Sequence, residues 1–260
     1  ILPLSEKRII VVIKNYILTI DDNSIVNEHK IRYGHRPIRS GIGILQNKDV
    51  IYGDYWSNPD RRPVYLYISR DKGQSWQILW KSRPGFARHI HFVCPDLNNK
   101  EWIYFGTGDY DNEPGLYKLN IETKKIEIIG EGDQKWRAVD LIQYDNKLIW
   151  GTDCEYDQNY IFSYNLSNGH LSRITTIPGP AYYTTRDKTG NLYIGTTIAD
   201  RKKHKACILK SNDGQSWKII KEFKKDMWHS KLFGYGVIEF IHGQENLNKL
   251  YYNLVGLKEK

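Results

Sequence analysis

One short pattern recurs along the chain and limits what it can fold into: a strand-like apolar run that ends in glycine. Its copies are Ile51-Tyr52-Gly53-Asp54, Tyr104-Phe105-Gly106-Thr107, Ile149-Trp150-Gly151-Thr152 and Tyr193-Ile194-Gly195-Thr196. The four glycines are 53, 45 and 44 residues apart, and Leu250-Tyr251-Tyr252-Asn253 is a weaker fifth copy. Self-similarity at ~40–50 residues, with four short strands in each period, is the mark of propeller blades.

Alternation and turn residues divide each period into strands. The best copy predicts Gly41–Gln46, Val50–Tyr55, Val64–Arg70 and Ser75–Lys81. The second predicts Ile90–Pro95, Trp102–Gly106, Gly115–Asn120 and Lys125–Gly130, and the third Ala138–Tyr144, Lys147–Thr152, Tyr160–Asn165 and His170–Ile177. The fourth predicts Ala181–Arg186, Asn191–Thr197, Ala206–Ser211 and Ser216–Phe223. No stretch carries a capped 3.6-residue apolar period, and 19 Tyr with 8 Trp favour strands.

The expectation is an all-β chain, a single β-propeller domain over residues 1–260 with four-stranded antiparallel blades. Closure is expected from the two chain ends. Tyr235–Ile241 and Lys249–Val255 read as the inner strands of a last blade, and Tyr16–Ile20 and Ile25–Ile31 as its outer strands. That makes five blades closed by pairing of N- and C-terminal strands, which removes exposed sheet edges. Arg8–Ile13 is then a surplus strand, so six blades with one incomplete is the alternative.

Composition removes several other classes. No apolar run approaches the ~20 residues of a membrane-spanning helix. The three cysteines, Cys94, Cys154 and Cys207, are far apart and form no CxxC pair, against a disulfide scaffold or a zinc ribbon. Nothing near Ile1 reads as a signal peptide, and secreted and cytoplasmic locations both stay open, as does the oligomeric state.

A turn motif accompanies the repeat. Ser69-Arg70-Asp71-Lys72-Gly73-Gln74-Ser75-Trp76 fits Ser/Thr-x-Asp-x-Gly-x-x-Trp. Lys210-Ser211-Asn212-Asp213-Gly214-Gln215-Ser216-Trp217 is a degenerate copy, and Thr19-Ile20-Asp21-Asp22-Asn23-Ser24-Ile25-Val26 a poorer one. All three fall between the third and fourth strands of a blade. There Asp and Ser can bond the turn's own amides, Gly allows positive φ, and Trp buries between blades. These turns resemble the Asp-boxes of the sialidase-like (BNR-repeat) β-propellers. The resemblance implies a carbohydrate-active or glycan-binding role, with the box itself structural.

Candidate chemistry gathers at the opposite end of the blades. Arg39, Arg88 and Arg137 stand in register before successive inner strands, 49 residues apart. Planar guanidinium forks suit a carboxylate, and three at one mouth repel each other unless an anion joins them. Tyr182 or Tyr183, and Tyr235, take the corresponding places in later repeats. Acids end the second strands at Asp54, Asp109 and Asp153, with Asp111, Glu113, Glu155 and Asp157 behind them. His89 and His91 lie beside Asp109 by hairpin pairing, and a His with a neighbouring carboxylate is a workable general acid or base. Each arginine could instead pair with a local acid.

Sialidases carry an arginine triad, a Tyr/Glu nucleophile pair and an Asp acid/base. This chain offers the arginines but no residues matching the Tyr/Glu pair. A lyase acting on a uronic acid fits as well, with the arginines neutralising the carboxylate and His91 with Tyr183 moving protons; lyase and glycoside hydrolase both stay open, with Asp109 and Asp153 as the other pair that could move protons. The net charge of +8, with Arg61-Arg62 and Arg201-Lys202-Lys203-His204-Lys205 in loops at that end, favours an acidic oligo- or polysaccharide partner. No RNP, KH or helix-turn-helix signature points to nucleic acid. No cofactor or metal ligand set is assigned, although Asp109, Asp111 and Glu113 could hold calcium. The alternatives are a lectin-like propeller that binds without cutting, or a protein-interaction scaffold anchored by Trp56, Trp136 and Trp228.

Overall fold

A computed structural model describes residues 1–110, 112–198, 205–230, 234–242 and 244–259. The chain forms two compact units, Ile1–Trp136 and Arg137–Lys260. Among the described residues, helix is confined to short 3-10 turns.

The first unit holds three antiparallel sheets whose neighbouring strands are consecutive in the chain. They are β1 (Leu2–Pro3), β2 (Arg8–Ile13), β3 (Tyr16–Asp21) and β4 (Ser24–Lys30); then β5 (Ile42–Ile44), β6 (Val50–Gly53), β7 (Tyr65–Ser69) and β8 (Gln77–Lys81); then β9 (His89–Pro95), β10 (Trp102–Gly108), β11 (Gly115–Asn120) and β12 (Ile126–Glu131). The second unit has β13 (Ile142–Tyr144), β14 (Lys147–Gly151), β15 (Asn159–Asn165) and β16 (Leu171–Ile177). Its other large sheet is β17 (Ala181–Arg186), β18 (Leu192–Thr196), β19 (Lys205–Ser211) and β20 (Lys218–Lys225). A hairpin of β21 (Val237–Phe240) and β22 (Tyr252–Val255) follows, and β23 (Leu257–Lys258) pairs along β20. Five such blades make the five-bladed β-propeller fold class.

A shared irregularity shows that the blades are copies. In every blade the third and fourth strands slip by one residue, leaving Val26, Leu79, Ile129, Ile174 or Ile220 as the extra residue of the outer strand. Such bulges bend the outer strand and increase its twist.

The expected closure is corrected. Tyr16–Asp21 and Ser24–Lys30 pair with Arg8–Ile13 and Leu2–Pro3 in one sheet, while among the described residues the last hairpin pairs only within itself. The strand that looked surplus is the second strand of the first blade. Ile13 pairs with Tyr16 across a tight turn in which Lys14 adopts φ +51. Closing a two-residue turn costs far less chain entropy than closing a loop the length of the protein, so the local hairpin forms.

Packing explains the glycine of the repeat. The middle strands β6, β7 and β18 are buried on both faces, hence their continuous apolar runs. In the first unit Ile51, Leu66 and Ile68 interlock with Ile90, Ile103 and Phe105, and in the second Ile149 and Ile161 with Ala181 and Ile194. A Cβ on Gly53 would lie 2.5 Å from the Ile90 side chain, and one on Gly151 would lie 2.4 Å from Ala181 Cβ. On Gly106 it would meet the Phe92 ring at 2.2 Å. These glycines admit a side chain from an inner strand, in two cases that of the next blade.

The box turns are clasps. Asp71 accepts hydrogen bonds from Ser75 N–H at 2.8 Å and from the Ser69 hydroxyl at 2.8 Å, and Gly73 turns at φ +92. Gly73 O then accepts from Thr19 Oγ1 at 2.7 Å and Asn27 Nδ2 at 2.9 Å, tying the second blade to the first. Asp213 closes the second copy in the same way, and Asn212 O accepts from the Tyr144 hydroxyl of the preceding blade.

Candidate functional site

The first unit brings four of the sequence candidates into one centre: Arg88, His89, His91 and Asp109. Strand β9 carries the two histidines at i and i+2, which places both on one face. Its pairing with β10 slips between Gly106 and Thr107, so that Phe92 faces Gly106, Ile90 faces Thr107, and His91 is the extra residue. Bulges of this kind re-aim side chains beside functional sites. Asp109 follows the end of β10 and holds φ +150, a conformation for which glycine is the usual residue. That strain keeps its carboxylate over the histidines.

The polar atoms meet closely. His91 Nε2 is 3.0 Å from His89 Nε2 and 3.1 Å from Asp109 Oδ1, and His89 Nε2 is 3.3 Å from Asp109 Oδ2. Both imidazoles are buried. His89 Nδ1 donates to Trp56 O at 2.9 Å, which fixes its tautomer and leaves Nε2 as the acceptor when the ring is neutral. Arg88 donates from Nη1 to Asp109 Oδ2 at 2.7 Å and from Nε to Ser57 O at 2.9 Å. Its backbone N–H donates to Glu113 Oε2, and Asn58 Nδ2 donates to its carbonyl. Burial alone would raise Asp109, yet hydrogen bonds and charge from His89 and His91 hold its carboxyl well below the usual carboxylate range. The histidines thus favour the ionised form of Asp109.

Arg39 begins the 3-10 turn Arg39–Gly41, which packs against β9; the Ser40 hydroxyl donates to His91 O at 3.4 Å. Asp54 lies in the same unit with the opposite electrostatics. It is 1% exposed, accepts from Tyr65 N–H at 3.0 Å, and leaves Oδ1 buried without a partner. Burial pushes it up to about 7, against the lowering from Tyr65 N–H and Arg32. A folded-state value above the unfolded one near 4 means that the folded chain keeps a proton that the unfolded chain has lost. Stability therefore falls as pH rises from about 4 to 7 and stays lower above that. Asp54→Asn, which retains an acceptor for Tyr65, is expected to be more stable than the wild type by about 2 kcal/mol at pH 8 and nearly equal to it at pH 4.5. Urea unfolding at the two pH values measures this.

The remaining candidates lie in the second unit. Arg137 and Asp153 are buried and joined at 3.2 Å, with Glu155 at 3.9 Å from the same guanidinium. Tyr183 is buried, and its neighbour Tyr182 is the extra residue of the β17–β18 pairing. Tyr235 donates its hydroxyl to Tyr182 at 2.6 Å. Arg88 and Arg137 are thus each neutralised by an acid. Glu113 is engaged through both oxygens, by Arg88 N–H and by Arg61 Nε at 2.5 Å, so Asp109 and Glu113 do not form the open carboxylate pair a calcium ion would take. Asp111 and Arg201–His204 lie outside the described residues; Lys205 pairs with Glu222 at 2.7 Å. Of the proposed aromatic anchors, Trp136 is buried, Trp56 half-buried and Trp228 exposed.

Two contributors were missed. Tyr55 lays its ring on His89 with centroids 4.2 Å apart, and the Trp56 carbonyl orients that histidine. A signal was available: Gly53-Asp54-Tyr55 recurs as Gly108-Asp109-Tyr110 at the ends of the second strands.

No family model and no curated protein matches the sequence. Solved structures do match, and they are β-propellers. A putative TolB from Agrobacterium tumefaciens is 12% identical, with a TM-score of 0.58 over 86% of this chain and 79% of that one. An oligogalacturonate lyase in complex with manganese is 8% identical, with a TM-score of 0.58 over 98% of this chain and 75% of that one. A GH74 xyloglucanase from Xanthomonas campestris is 14% identical, with a TM-score of 0.58 over 79% of this chain and 34% of that one. At these identities the likeness shows the fold alone.

Proposed function

We propose that the chain binds and cleaves an acidic, uronate-containing glycan by β-elimination at the Arg88–His89–His91–Asp109 centre. The observation that carries this reading is the convergence of two buried imidazoles on one carboxylate that they hold below its usual range, next to an arginine. A hydrolase needs a carboxylic acid and a carboxylate flanking the scissile bond. The histidines favour the ionised form of Asp109, which suits it poorly as that acid, whereas an imidazole can take and return a proton. The sialidase-like box turns, the net positive charge and the presence of carbohydrate-active enzymes among the propellers of similar fold are consistent with a saccharide substrate.

In this reading Arg39 and the Nη2 edge of Arg88 hold the uronate carboxylate, which lowers the cost of charge developing on it. An imidazole takes the proton from C5. The C5–H electron pair becomes the C4–C5 double bond, the C4–O bond breaks, and the proton returns from the imidazole pair to the leaving oxygen. Each cleavage then yields one unsaturated uronate end and one new reducing end, with no oxidant or water consumed. Polyuronates incubated with the protein are expected to gain near-ultraviolet absorbance and reducing ends in equal number. New reducing ends without absorbance would replace elimination by hydrolysis, and neither signal over a panel of polyuronates would overturn catalysis.

A non-catalytic reading has one observation in its favour: Arg88 and Arg137 already pair with acids. It predicts saturable, salt-sensitive glycan binding with no product.

A further inference from the structure

We infer that His89, His91 and Asp109 form a binding site for a divalent transition-metal ion. The inference concerns three donor atoms and holds whatever the substrate.

The spacing fits an ion. Metal–nitrogen distances of about 2.0–2.1 Å put neighbouring ligand atoms about 2.9 Å apart in an octahedron and about 3.3 Å apart in a tetrahedron. Here the two Nε2 atoms are 3.0 Å apart, His91 Nε2 lies 3.1 Å from Oδ1, and His89 Nε2 lies 3.3 Å from Oδ2. His89, His91 and Asp109 each offer one ligand atom, and these atoms lie within 4.8 Å of one another. Two nitrogens and one carboxylate oxygen suit zinc, iron, cobalt or nickel better than calcium or magnesium, which take oxygen.

The surroundings are built as metal sites are. The other nitrogen of His89 is anchored on the Trp56 carbonyl, and Arg88 holds the Asp109 carboxylate through Oδ2. The bulge at His91 and the strained backbone of Asp109 are both spent on bringing these groups together. Two further buried atoms have no partner among the described residues: Trp56 Nε1 and Gln134 Oε1, the latter on a side chain whose nitrogen donates to Asp109 O.

Ion and proton compete for the same lone pairs. The hydrogen bond that His91 Nε2 makes to Asp109 must be given up when the ion binds.

The test is titration of the chelator-treated protein with zinc, followed by calorimetry, and with cobalt, followed by its visible d–d bands. The expected result is one ion per chain, affinity reduced at least 100-fold in His91→Ala and in His89→Gln, and tetrahedral or five-coordinate cobalt bands in the wild type alone. Zinc should also raise the melting temperature of the wild type and leave that of His91→Ala unchanged, a readout that stands apart from whether a variant folds well. No binding at millimolar zinc, or binding unchanged in both variants, would overturn the site. Because the ion would take the imidazole lone pairs that the proposed elimination uses, zinc is expected to suppress turnover in the wild type; failure of zinc to bind leaves the glycan reading intact, since the metal-free centre retains its proton-transfer groups.

Discussion

Gly106→Val is expected to remove most of the chain's stability, at least about 4 kcal/mol, enough to lower the melting temperature by roughly 10 °C or to prevent folding. The Phe92 ring stands 2.2 Å from where the new Cβ would be, and Phe92 is itself fully buried, so neither group can withdraw. Gly53→Val meets the β-branched Ile90 at 2.5 Å and should be nearly as damaging. Gly195→Ala, whose Cβ would sit 3.3 Å from Ile238, should cost far less. Thermal melts of the three variants give the order. A Gly106→Val chain that melts with the wild type would show that these glycines do not set the packing of the blades.

Asp109→Asn is expected to reduce turnover of an acidic glycan at least 100-fold while the chain still folds. The carboxylate balances Arg88 and accepts from the imidazoles, and a neutral amide does neither. Removing one partner of this largely buried ion pair should also cost about 2–3 kcal/mol. Because the Asp109 carboxyl lies below its unfolded value, its contribution is complete above about pH 4 and declines as pH falls further. Asp109→Gly separates strain from charge: it loses the same ion pair but relaxes the φ of +150. It should therefore be at least as stable as Asp109→Asn and equally inactive. Turnover surviving in both variants would remove Asp109 from the chemistry.

The strands of the last four blades were legible because each blade repeats one pattern: a buried middle strand ending in glycine, an alternating neighbour and a turn closed by an Asp or Asn side chain. Arg8–Ile13 was misplaced because the first blade lacks the glycine mark, and its first strand, Leu2–Pro3, is too short to show a period. The outer-strand bulges at Val26, Leu79, Ile129, Ile174 and Ile220 were illegible for a different reason. A bulge is a relation between two strands, and no local composition encodes it. The grouping of His89, His91 and Asp109 was readable from hairpin register. Asp54 and Asp109 show where that reading stops: both stand in Gly-Asp-Tyr, yet one is pushed up by burial while the other is held down by histidines from the neighbouring strand.

The glycan account is tested most directly by a crystal structure with an unsaturated uronate oligosaccharide bound. It predicts the uronate carboxylate against Arg88 or Arg39, with ring carbon C5 facing the His89–His91 pair. A sugar bound away from β9, with that centre untouched, would contradict it.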